Sequence, residues 1–166
     1  MKLDSFGEQT KMGIKLAQRA YNAFKLVNDT SFKPRAKRLA LIHERGLALI
    51  LYWNQIETAL KLIRYYDRIK EDWPNELSFI RTSWKPLREL KGSDPAKYDL
   101  ILSGSYKSLW KIRNGIAHEG CNVTTAEYSK YIEAALWVIL ELNKKTPNLE
   151  RLRDKKRRSD AQLKEP

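Results

Sequence analysis

The feature that most limits the folds open to this chain is an apolar stripe through its middle. Leu39, Ile42, Leu49, Ile50, Trp53, Ile56, Leu60 and Ile63 recur mostly at intervals of three, four and seven. That is the period of one face of an α-helix. It predicts one long helix over 35–69, with Gly46 marking a close helix contact or a slight bend. No stretch keeps the alternation of a strand, so the expected fold is all-α.

The flanking patterns agree. Ile14, Ala17, Tyr21 and Phe24 form a stripe within 5–27. Pro34 suits the first turn of the next helix. Pro95 opens a further helix running to Glu119, with an interruption expected near Ser103-Gly104-Ser105. Thr124-x-x-Glu127 is a capping box for a helix whose apolar face is Tyr128, Tyr131, Ile132, Ala135, Leu136, Ile139 and Leu140, and Pro147 stops it. Between these helices, Trp73-Pro74, Trp84-Lys85-Pro86 and Gly92-Ser93-Asp94-Pro95 punctuate a connector with a short helix around 76–82. Its two tryptophans are expected to pack the end of the bundle. The reading is a bundle of four main helices plus short connector helices over 1–146, followed by a polar tail at 147–166.

Charge narrows the partners. The chain of 166 residues carries a formal charge of +12. Such a balance points first to nucleic acid, then to an acidic protein or an anionic membrane surface. Lys155, Lys156, Arg157 and Arg158 form a basic run in the tail, suited to contacting RNA phosphates or to keeping the tail solvated. A single cysteine, Cys121, excludes an internal disulfide and reads as a small residue in a turn. No apolar run spans a bilayer and Met1–Glu8 lacks the apolar core of a signal peptide, so a cytoplasmic protein is expected.

One stretch breaks the pattern. In Lys111-Ile112-Arg113-Asn114-Gly115-Ile116-Ala117-His118-Glu119-Gly120, a guanidinium falls among Tyr106, Leu109, Trp110, Ile116 and Ala117. A cation on an apolar stripe is costly unless it is paired or faces a wet cleft. Asn114 and His118 lie one turn apart on the same face, and Gly120 stands where a helix-terminating glycine belongs. Glu57 borders the apolar face of the long helix, one turn after Trp53. It suits either a surface pair with Lys61 or an acid that orients Arg113 or His118 across the bundle. Arg38 and His43 repeat the Arg–His spacing, but no polar residue follows that Arg, so His43 reads as structural.

Arg113-Asn114-x-x-x-His118 at a helix end, closing as Ala-His-x-Gly, resembles the R-x(4–6)-H motif of HEPN domains, with a helical layout to match over about the first 145 residues. The resemblance implies an all-α, metal-independent endoribonuclease of toxin–antitoxin or antiviral defence systems. It implies no cofactor, a homodimer with a composite site, and an antitoxin or other defence protein as partner. The family also holds non-catalytic members that bind nucleic acid or a partner protein, which is the alternative reading. Some HEPN toxins are silenced by modification of a Tyr two residues after the His. Gly120 occupies that position here, a departure from that mode of control.

The residue types fit the chemistry. In RNA the 2′-hydroxyl is the nucleophile, and a base must take its proton. An acid protonates the departing 5′-oxygen and a cation stabilises the phosphorane. An imidazole such as His118 suits acid or base work, the Arg113 fork suits phosphate, and Asn114 can hold the ring or a phosphate oxygen. The sequence has no carboxylate cluster or zinc-ligand spacing that calls for a metal.

Overall fold

The computed structural model describes residues 4–67, 73, 77–81 and 83–146. Among them the chain forms seven α-helices and one short 3-10 helix, with no strand. The helices are α1 (Asp4–Asn28), α2 (Phe32–Leu41), α3 (Arg45–Asp67), α4 (Lys85–Ser93), α5 (Pro95–Leu102), α6 (Leu109–Glu119) and α7 (Thr125–Asn143), with the 3-10 helix at Ser78–Arg81.

Helix α3 is the axis of the bundle. Its buried residues cover most of the helix surface, from Leu49, Trp53, Ile56 and Leu60 to Leu62 and Tyr65, leaving one polar side at Asn54, Glu57 and Lys61. A helix with so wide an apolar surface must be largely enclosed, and α1, α2, α6 and α7 all pack on it. Helix α1 meets it through the small residues Ala20 and Ala23, which sit against Leu62 and Tyr65. The seam of α1 is therefore rotated from the expected one, and Tyr21 and Phe24 stay half-buried. Helix α7 begins at the expected capping box, with Glu127 N donating to Thr124 Oγ1 at 3.2 Å and Thr124 N to Glu127 Oε2 at 2.9 Å. Its seam is centred on Ala135, Val138 and Leu142, so Leu140 points outward and is 59% exposed.

The single helix expected over 35–69 is two helices. The chain breaks at Ile42, His43 and Glu44, where Glu44 N donates to Leu39 O at 2.8 Å and His43 N to Ala40 O at 3.2 Å. These two bonds close a Schellman cap, with His43 in the left-handed place at φ 66°. No glycine or proline announces this stop, and His43 both closes α2 and stands two residues before α3. Gly46 is a contact point and not the bend. A Cβ there would lie 2.8 Å from Ile116 Cγ2, so α3 and α6 approach closely at that position.

The connector holds more helix than expected, since α4 lies inside it. Its tryptophans pack the bundle end. Trp84 Nε1 donates to Asp67 Oδ2 at 2.7 Å, and the Trp73 ring lies 5.6 Å from that of Tyr65. Helices α5 and α6 are separated by the turn at 103–108, as the Ser-Gly-Ser sequence suggests. Among the described residues no helix is long and apolar enough to cross a membrane. The basic run Lys155, Lys156, Arg157 and Arg158 lies outside the described residues.

Candidate functional site

Helix α6 carries Arg113, Asn114 and His118. It ends at Gly120, whose φ of 64° is a backbone state that glycine adopts without penalty. Leu109, Trp110 and Ile116 anchor the helix in the core.

Arg113 is half-buried, and its surroundings resolve the cost of a cation on an apolar stripe. The guanidinium lies over the Trp53 ring, 4.6 Å from its centroid, and Nη1 donates to the Trp110 carbonyl. A cation over an indole face is worth about 0.5–2 kcal/mol, more as water is excluded. Trp53 is itself fixed, since its Nε1 donates to Glu57 Oε2 at 2.9 Å. The other Glu57 oxygen accepts from Lys61 Nζ at 2.7 Å. Glu57 thus forms the surface pair with Lys61 and also holds the ring on which Arg113 lies. It forms no ion pair with Arg113 within 4.0 Å. Burial presses the Arg113 guanidinium below its ordinary value, and the Glu57 carboxylate opposes that shift. The group stays charged at any physiological pH.

Asn114 and His118 are exposed. Neither makes a hydrogen bond to a described residue, so the carboxamide does not hold the ring in this conformation. His118 is five positions after Arg113, which places them about 140° apart around the helix. Arg113 turns toward α3, while His118 faces solvent. The arrangement provides a fixed cation and a free imidazole on one short helix, on two different faces of it.

Cys121 follows on the turn, exposed, with Sγ 3.8 Å from Glu119 Oε2. His43 is exposed beside Arg45, whose Nη2 lies 3.3 Å from His43 Nδ1. Neither forms a hydrogen bond with Arg113, Asn114 or His118.

No protein-family model matches the chain, and neither the curated proteins nor the solved structures yield a match. The motif and its setting therefore carry the functional reading.

Sequence reasoning missed Trp53 as the seat of Arg113. The Trp53–Glu57 spacing of one helical turn was the available signal. It also missed the cations around Trp110, with Arg81 5.3 Å and Lys111 4.8 Å from that ring's centroid. Arg81 comes from the 3-10 helix, so only the fold brings the two together.

Proposed function

We propose that the chain is a metal-independent endoribonuclease of HEPN type, acting in the cytoplasm as a toxin or defence effector. The observation that carries this reading is the division of labour on α6. Arg113 is seated on a clamped indole as a permanent cation, and His118 stands in solvent with both ring nitrogens unengaged. A proton-transfer group needs free nitrogens, whereas a phosphate-binding cation gains from being fixed. His118 takes or gives the proton at the reacting oxygens, and Arg113 stabilises charge on the phosphorane. Asn114 lies one turn before His118 and can bind a phosphate oxygen. The basic run Lys155–Arg158 adds phosphate contacts.

One imidazole cannot act on both sides of a phosphate at once, and Arg113 faces away from the His118 of its own chain. A two-fold pairing of α6 helices supplies the second set, so the active unit is a homodimer. An antitoxin or other defence protein is the partner that restrains it.

A second reading has its own support. Arg113 already spends a donor on the Trp110 carbonyl and its face on Trp53, as a structural cation in a non-catalytic binding module does. One experiment separates the two. RNA with a single 2′-deoxy sugar at the scissile position should resist cleavage there, with EDTA making no difference. His118→Ala should abolish cleavage of the unmodified strand. In dimers of one wild-type and one His118→Ala chain, activity should approach that of the doubly substituted dimer. Cleavage at the deoxy site, or full activity of His118→Ala, refutes the ribonuclease reading.

A further inference from the structure

On the side of α6 away from Arg113 lies a cavity of about 650 Å³, floored in part by Leu100, Ile112 and Val123. It continues into a second cavity of about 680 Å³, since Leu100, Lys107 and Lys130 line both. Together they form a groove along α5, α6 and α7.

The charges on this groove are uneven. Lys107, Lys111 and Lys130 form no ion pair with a described carboxylate, unlike Lys61, Lys97 or Lys145. Two of the nearby acids are occupied. Glu127 accepts from Thr124 in the α7 cap, and Glu133 lies 3.6 Å from Lys97. Asp99 remains on the rim of the second cavity.

The rim also carries an aromatic ring. Tyr106 is 76% exposed. The turn that presents it is tied down. Ser108 Oγ donates to Ser103 O at 2.8 Å, Lys107 N to Ser105 Oγ at 3.3 Å, and Tyr131 OH to Lys107 O at 2.7 Å. A stacking partner gains most from a ring already held in place.

The geometry points to a binding groove for single-stranded RNA: we propose that a base stacks on Tyr106 while neighbouring phosphates lie on Lys107, Lys111 and Lys130. The substrate class rests on the ribonuclease reading above. Lys107 Nζ lies 5.5 Å from the Tyr106 ring centroid and Lys111 Nζ 4.8 Å from that of Trp110, and an aromatic platform beside cations that no carboxylate neutralises is how single strands are held without sequence preference. The groove also leads to the motif. Lys111, Asn114 and His118 stand at i, i+3 and i+7 and fall within about 60° of one another around α6. A strand laid along that stripe runs from the groove to His118.

The test is binding of a labelled single-stranded RNA of about 12 nucleotides, by fluorescence anisotropy, to the full chain carrying His118→Ala so that the strand survives. Adding Tyr106→Ala should weaken binding about 5- to 150-fold, the range for loss of one stacked base. Adding Lys107→Ala, Lys111→Ala and Lys130→Ala should lower the log–log salt slope by about 2, or ~0.7 per lost phosphate contact. Removing the same charge elsewhere, with Lys15→Ala, Lys33→Ala and Lys37→Ala, should leave the slope unchanged. Equal losses from both triple variants would reduce the groove to net charge and overturn it. So would unchanged binding by Tyr106→Ala and the groove triple, or binding of an acidic peptide but not of RNA. Wild-type cleavage is assayed separately. Weakened binding in the groove variants with an inert wild type keeps the groove and removes the ribonuclease. Cleavage with unchanged KM in the groove variants does the reverse.

Discussion

An alanine at position 46 places a methyl group where α3 touches α6, and its effect can be worked out from two opposing magnitudes. Glycine to alanine within a helix ordinarily gains up to about 1 kcal/mol, less near the helix start. At Gly46 the new Cβ would stand 2.8 Å from Ile116 Cγ2 and 3.5 Å from the Cys121 carbonyl. Carbon atoms prefer about 3.5–4.0 Å, so α6 must move or Ile116 must leave its rotamer. Overpacking of this kind costs about 1–3 kcal/mol. The net expectation is destabilisation by about 1 kcal/mol, read as a lower urea midpoint with unchanged slope. Gly13→Ala is the control. Nothing lies within 4 Å of a Cβ there, so the same substitution should stabilise. Ile116→Ala removes the offending Cγ2, and Gly46→Ala added to it should cost less than it does alone. If Gly46→Ala stabilises as much as Gly13→Ala, α3 and α6 are not seated as described.

His43→Gly should stabilise the protein by about 0.5–1 kcal/mol in the same assay. Relief of a left-handed non-glycine residue is worth about 1–2 kcal/mol, and glycine's greater freedom in the unfolded chain returns part of it. No gain would show that the His43 contact with Arg45 matters as much as the strain. Tyr65 is buried, and burial pushes its phenol up to about 12. Between the ordinary tyrosine value of 10.0 and that value the unfolded chain releases a proton that the folded chain keeps. This contribution is therefore intact below pH 10 and is lost as pH rises toward 12. Tyr65→Phe should flatten the alkaline fall in urea midpoint, and an unchanged fall would place the titration elsewhere.

What the sequence disclosed and what it hid divide along the range of the interactions. The α7 capping box spans four residues and the Gly120 stop reaches back only to Gly115, so residue type alone reveals them. The break at His43 is equally local, yet it was hidden because the left-handed position is filled by histidine rather than glycine. Arg113 stood out as a cation on an apolar stripe, but its solution was invisible. The Trp53 ring is sixty positions away in sequence and reaches Arg113 only through the seating of α3 on α6. Lys107, Lys111 and Lys130 were passed over for the same reason. Each is ordinary on its own element, and only the fold gathers them around one groove. Glu57 lies between these cases, since its pairing with Lys61 and Trp53 is set by helical spacing while its bearing on Arg113 is not.

The seating of Arg113 sets how this site would age. Its guanidinium covers a buried indole, so a chain that had lost all chemistry would still be penalised for losing that residue. His118 has no such second employment. It is exposed and makes no hydrogen bond to a described residue, so once chemistry no longer mattered it could drift to any residue a helix end accepts. Among related chains, persistence of the arginine would report only on folding. Persistence of the histidine would report on what the protein does.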